Sequence, residues 1–197
     1  SPKTKFYFAG SSEMFGKVQN TPQNEKTPFY PRSAYGISKV TGFHLTRNYR
    51  EAYKLHASNG ILFNHESPRR GSNFVSNKII KTAVQIKKGD KIKLELGNLD
   101  SKRDWGHAYD YVRAIYKILN FKEPRDFIVS TGKAYSVRDF CKITFNKLNL
   151  NYEDHVVINE RFKRPQELGY LRGDSSETRE LLDWKPTYNF EQMVDEM

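Results

Sequence analysis

The stretch KFYFAGSSEMFGKV, residues 5–18, decides how the chain is read. Lys5 to Ala9 are apolar or aromatic after the leading lysine and predict a short buried strand. The strand runs into a Gly/Ser turn, and the turn carries chemistry. Ser11 supplies a hydroxyl and Glu13 a carboxylate. In open α/β sheets, ligands sit beyond the carboxyl ends of the strands, which is where these two side chains fall.

Working outward, helices and strands alternate. Residues 34–54 predict a long helix ending near Leu55, and ASNGILF (57–63) a second strand followed by the polar loop NHESPRRGSN. Phe74, Val75, Ile79, Ile80, Ala83 and Val84 fall at helical spacing over 74–88. KIKLEL (91–96) reads as a strand, HAYDYVRAIYKIL (107–119) as an amphipathic helix and DFIVST (126–131) as a strand. Ser136 is placed to cap a helix over 137–148. Asp174 with Glu177, and Asn189 with Gln192, are expected to form capping boxes for the last two helices. The class is α/β with a largely parallel sheet. No G-x-G-x-x-G turn follows a first strand, and the 12 glycines are dispersed, so no phosphate-gripping turn of the dinucleotide kind is in this sequence.

Composition narrows the function. Hydrophobic residues make up 37% and charged residues 28%, as in a globular soluble protein. No apolar run is long enough to span a bilayer, and SPKTKFYFAG lacks a signal-peptide core, so no membrane association is expected. A single cysteine, Cys141, excludes an internal disulfide and is compatible with a reducing cytoplasm. The surplus of 33 basic over 23 acidic residues fits an anionic partner such as a nucleotide. The densest basic zone (Lys78, Lys81, Lys87, Lys88, Lys91, Lys93) reads as a solvated face. No RNP-like motif or zinc-ligand spacing organises the aromatics, so neither nucleic acid nor a metal is expected.

SAYGISK, residues 33–39, sets Tyr35 and Lys39 one helical turn apart on one face. Alone, the pattern also fits an ordinary surface helix. Its chemical use is that a nearby ammonium favours the phenolate, which makes a phenol a usable general base near neutrality.

Ser11, Tyr35 and Lys39 together resemble the Ser/Thr, Tyr, Lys set of the extended short-chain dehydrogenase/reductase family. More narrowly, SSEMFGKV, PFYPRSAYGISK, NGILFNHESPRRGSNFV, LGNLDSKRDWGHAYDYV, STGKAYSVRDF and RPQELGYLRGD resemble, in order, the GDP-mannose 4,6-dehydratase family. The resemblance implies a partial Rossmann-like, doubly wound parallel sheet with a smaller α/β substrate-binding domain. Residues 1–70, with a segment near 98–131 returning to them, would belong to the NADP-binding domain. Residues 71–197 would mostly bind the nucleotide-sugar. Family members carry a further half-domain before the first strand, so the chain is expected to be a C-terminal portion, inactive alone.

The implied reaction is an NADP-dependent elimination of water that converts GDP-mannose to GDP-4-keto-6-deoxy-mannose. Tyr35 would take the proton of the 4-hydroxyl, Glu13 would remove the C5 proton, Ser11 would hydrogen-bond the 4-oxygen and Lys39 would hold the nicotinamide ribose. By resemblance His65 and Arg70 lie against the cofactor. Asn64, Val75, Lys78, Arg103, Arg164 and Glu167 would face the nucleotide-sugar. Glu13 argues against an epimerase of the same fold, which needs no elimination base. The spaced Ser-x-Glu argues against dehydratases that use an adjacent Asp-Glu pair. A non-catalytic sugar-nucleotide-binding remnant stays open as the alternative. Two departures from the family pattern are Asn77, where a basic residue is usual, and Gly169, where an acid is. Full-length members form dimers or tetramers, so a homo-oligomer is expected.

Overall fold

The computed structural model describes residues 4–162 and 170–197. In chain order the elements are β1 (Phe6–Ser11), α1 (Ala34–Tyr53), β2 (Ala57–Leu62), β3 (Asn64–Glu66), α2 (Val75–Lys87), β4 (Leu94–Leu96), β5 (Lys102–His107), α3 (Ala108–Asn120), β6 (Asp126–Val129), β7 (Ala134–Ser136), α4 (Val137–Lys147), β8 (Val156–Ile158), β9 (Tyr170–Leu171), α5 (Ser176–Leu182) and α6 (Phe190–Glu196).

Among the described residues β1, β2 and β6 form a parallel sheet in that order. β2 is buried at every position. That explains why ASNGIL shows no apolar–polar alternation: a central parallel strand is covered on both faces. One covering layer packs Phe43 of α1 against Ile61, Phe63, Ile128, Met14 and Phe15. The other packs Tyr111, Ala114 and Ile118 of α3 against Leu62, Phe127 and Val129, with Leu182 and Trp184. The sheet is thus sandwiched between helices, the layering expected of a doubly wound fold. The buried Asn59 donates to Phe43 O (3.3 Å) and to Asp126 Oδ1 (2.8 Å). Arg50 donates to the same carboxylate at 2.9 Å, which ties the end of α1 to the start of β6.

A second sheet runs β3-β5-β7, with β9 also pairing β5, and β4 pairs β8 separately. Above it lies a third cluster, in which Trp105 meets Phe140 of α4, Phe190 of α6 and Ile79 of α2. Both tryptophans are 2% exposed and are packing residues.

Helix ends follow the capping residues in two of three expected cases. Ser136 caps α4 and forms a full box with Asp139, and Asn189 and Gln192 form the box of α6. The expected box of Asp174 with Glu177 is not formed. Asp174 instead accepts from the backbone N–H of Ser176 (3.0 Å), and Glu177 pairs with Arg125. Five of the six basic-zone lysines, on α2 and just after it, are exposed, as expected of a solvated face, whereas Lys78 is half-buried.

Candidate functional site

The turn after β1 is a single 3-10 turn over Ser12–Met14, capped by Ser11. Ser11 Oγ accepts a hydrogen bond from the Glu13 N–H at 3.2 Å. A hydroxyl has one donor and two acceptor sites, so this bond leaves the Ser11 hydrogen available to another oxygen. Met14 and Phe15 are fully buried behind the turn, which fixes it to the core.

Helix α1 opens at that turn. Ser33 caps it by accepting from the Gly36 N–H at 3.0 Å. Gly36 sits so close to this turn that a Cβ there would stand 2.8 Å from the Glu13 carbonyl oxygen. Only glycine allows the first turn of α1 to approach the backbone of Glu13 this closely. Tyr35, next to it, is 54% exposed, so its phenol is open to a ligand. Lys39 follows one turn later. Its Nζ donates to the Ala9 carbonyl of β1 at 2.9 Å and lies 5.5 Å from the Tyr35 ring centroid. Strand end, turn and helix start therefore bring Ser11, Glu13, Tyr35 and Lys39 to one edge of the sheet.

The segment after β2 carries the next group. Asn64 opens β3, half-buried and in register with Trp105. His65 Nδ1 lies 2.9 Å from the Phe63 carbonyl, which only accepts, so Nδ1 carries the hydrogen and Nε2 is left with a lone pair. Burial holds the imidazole below its ordinary range, with the Arg70 charge acting in the same direction, so His65 is neutral at pH 7. Its ring stacks on the buried Tyr111 at 4.9 Å. Arg70 Nε lies 3.0 Å from Glu66 Oε2 as an ion pair, its N–H not aimed at the oxygen, and the guanidinium covers the Phe74 ring at 3.5 Å. Asn77 donates its amide to the Arg70 carbonyl. A short neutral side chain thus stands where the family pattern has a basic one, and it holds the loop.

Val75 and Lys78 lie in the first turn of α2. Lys78 Nζ donates to the Glu95 carbonyl and sits 3.8 Å from the centroid of Phe162, which Arg161 faces at 4.6 Å. Burial lowers the Lys78 ammonium from its ordinary range, against the pull of Glu95. Arg103 lies on β5 in register with Leu171 of β9, and one of its terminal nitrogens donates to the Lys102 carbonyl at 2.9 Å. Arg164 and Glu167, like Gly169, fall outside the described residues.

Three buried polar residues that sequence reasoning passed over hold these loops. Asp104 accepts from Thr131 N (2.8 Å), Thr131 Oγ1 (2.6 Å), Gly132 N (2.8 Å) and Gly173 N (3.3 Å), which joins three distant segments beside Arg103. Gln23, fully buried, donates its backbone N–H to Arg172 O and accepts from Arg172 N–H through Oε1 at 3.0 Å. It clips the loop between Glu13 and Tyr35 onto the chain just before α5. Glu66 anchors Arg70. The only local signal for Glu66 was its place inside the quoted block NHESPRRG.

The comparisons with known proteins can be set against this geometry. The family model described as GDP-mannose 4,6 dehydratase matches residues 1–197. The chain belongs to the GDP-mannose 4,6-dehydratase family. Its similarity to GDP-mannose 4,6 dehydratase 1 of Arabidopsis thaliana is 50% identity over 193 residues, 98% of this chain and 53% of that protein. To the human GDP-mannose 4,6 dehydratase it is 46% over 210 residues, 98% of this chain and 56% of that one. The chain therefore spans about half the length of the curated GDP-mannose 4,6-dehydratases it matches. Among solved structures, RMD from Pseudomonas aeruginosa complexed with NADPH superposes with a TM-score of 0.88 at 21% identity, covering 98% of this chain and 64% of that one. That likeness shows that this GDP-mannose 4,6-dehydratase family member shares the α/β fold of that structure.

Proposed function

We propose that the chain supplies the catalytic and nucleotide-sugar-binding part of an NADP-dependent hydro-lyase that converts GDP-mannose to GDP-4-keto-6-deoxy-mannose. The observation that carries the reading is the convergence of Ser11, Glu13, Tyr35 and Lys39 on one sheet edge, with Lys39 fixed to β1 at 2.9 Å and Gly36 packed on Glu13.

The chemistry follows from what each side chain has to spare. Ser11 has its hydrogen available for the sugar's 4-oxygen. Tyr35 takes the proton of the 4-hydroxyl as that carbon becomes a ketone. The ketone acidifies the C5–H bond; Glu13 removes that proton and hands it to the 6-hydroxyl, which departs as water, and the proton taken up by Tyr35 goes to C5 when hydride reaches C6. The chemistry NADP would supply when bound is the reversible hydride transfer that links C4 to C6. Lys39, His65 and Arg70 would hold the cofactor. Their chemistry suits an anionic dinucleotide: two cations and a neutral imidazole with a free lone pair. Asn64, Val75, Lys78 and Arg103, with Arg164 and Glu167, would hold GDP-mannose, since a diphosphate calls for charge-assisted, often bidentate donors.

In this reading residues 1–70, with 98–131, carry the cofactor-side layer, and 71–197 mostly the substrate side. No described helix is long and apolar enough to cross a membrane. The lone, buried Cys141 fits a cytoplasmic setting. The assembled enzyme would be a homo-oligomer without nucleic acid.

Calorimetric titration of the chain with GDP-mannose, GDP and NADP tests this. GDP and GDP-mannose are expected to bind, and NADP only at millimolar concentration. Arg103→Ala should weaken both guanine ligands by about 10-fold or more, the loss of one charge-assisted contact at ~1.5–3 kcal/mol. Absence of guanine-nucleotide binding at millimolar ligand would refute the proposal.

A further inference from the structure

Glu66 ends β3 at 1% exposure. Its Oε2 accepts a hydrogen bond from Ser76 Oγ at 2.6 Å and lies 3.0 Å from Arg70 Nε. Ser76, itself fully buried, belongs to the first turn of α2. The acid therefore bridges the end of one strand, the loop and the next helix. Burying a carboxylate is unfavourable unless it is partnered, and a well-packed apolar pair would serve stability as well. Burial accordingly raises the Glu66 carboxyl from its ordinary range, while Ser76 and Arg70 favour its charged form.

What the arrangement does achieve is to fix one guanidinium. The Arg70 backbone N–H donates to Ser67 O at 2.9 Å, and its carbonyl accepts from Asn77. One face of the guanidinium rests on Phe74, and its inner nitrogen faces Glu66. Grip at the backbone, the face and the inner edge leaves the two terminal nitrogens without an acceptor among the described residues. An arginine needed only for stability would have no reason to be held this way around.

We propose that Glu66, seconded by Ser76, is a positioning residue that clamps Arg70 with its terminal nitrogens presented to the anionic cofactor. The inference rests on the reading of Arg70 as a cofactor contact. The carboxylate itself touches neither sugar nor cofactor.

The test follows the Arg70 Nε–H by NMR in the chain, assigned by its loss in Arg70→Lys. In the wild type its order parameter should approach that of rigid backbone, ~0.85, and in Glu66→Gln fall below ~0.6. NADP titrated to millimolar concentration should shift the wild-type signal, and its dissociation constant should weaken about 5- to 10-fold in Glu66→Gln with GDP affinity unchanged. Ser76→Ala keeps the carboxylate and should show the same effects in smaller degree, which covers the case of a Gln variant that does not fold. An Arg70 signal equally rigid in both variants overturns the clamp. A loosened Arg70 with unchanged NADP affinity also overturns the proposal. If Arg70→Lys leaves NADP affinity unchanged as well, the failure lies in the reading of Arg70 rather than in the grip of Glu66.

Discussion

Tyr35 is placed by its neighbour. Gly36 lets α1 close on the carbonyl of Glu13, and the 2.8 Å separation a Cβ would have from that oxygen leaves no room for alanine. Alanine is favoured over glycine inside a helix by about 1 kcal/mol, so on propensity alone Gly36→Ala would stabilise α1. Here the contact is with backbone and the clash should win. The variant is expected to unfold at lower temperature than wild type, checked by thermal denaturation, and to weaken GDP-mannose binding. A raised melting temperature would show that helix and turn do not meet as described. At this scale the nearness of the candidate residues was legible, because Ser11, Glu13, Tyr35 and Lys39 are coded close together in two short blocks. Asp104 was not. Its four donors lie 27 to 69 residues downstream, and nothing local marks it as buried.

Burial raises the Asp104 carboxyl from 3.8 to about 6, outweighing donors from Thr131, Gly132 and Gly173 that act to lower it. Because the folded value lies above the unfolded one, the folded chain binds more protons between about pH 4 and pH 6. Acidification across that window therefore favours the folded state by up to ~3 kcal/mol from this group, and the gain is lost as pH rises past 6. A carbon-13 titration of the Asp104 carboxyl should show a midpoint near 6, and one below 4 would contradict the assignment.

At the level of elements, the helices came through with boundaries within a residue or two. α1 ends at Tyr53, with Lys54 in the left-handed conformation as its cap. Their signal is a periodicity of apolar positions that tertiary context only has to accept. The strands divide. β1, β2, β4 and β6 were read as strands, whereas β5 was not read as any element. Its sequence KRDWGH begins with two cations and an acid. It is a strand because β3, β7 and β9 all pair with it, which is information held elsewhere in the chain. The failed capping box at Asp174 has the same origin: Glu177 is taken by Arg125, 52 residues away.

Helix α4 gives a prediction of its own. Cys141 points into the core at 0% exposure, and burial pushes its thiol up to about 12. It should resist thiol reagents in the folded chain and react only on unfolding. Rapid labelling under native conditions would mean that α4 does not pack on Trp105 as described.

For the whole molecule, the parallel sheet has β1 at one edge among the described residues, with Phe6 half exposed. An open edge with an apolar residue beside it is a site for strand addition. The purified chain is expected to self-associate in sedimentation velocity, and Phe6→Lys to shift it toward monomer. A monomeric wild type with a sharp thermal transition would count against this. The large-scale plan, strands alternating with helices around a parallel sheet, was readable from the sequence. The second sheet was not, because most of its strands are only two or three residues long, too short to show a period.

The account stands on four side chains meeting one hexose, and a crystal structure of the chain with GDP-mannose tests that most directly. It should show the sugar's 4-oxygen at ~3 Å from the hydroxyls of both Tyr35 and Ser11, hydrogen-bond distance, with C5 facing the Glu13 carboxylate. A bound GDP whose hexose lies away from these groups, or Tyr35 and Glu13 opening onto separate spaces that no single ring can reach, would contradict it.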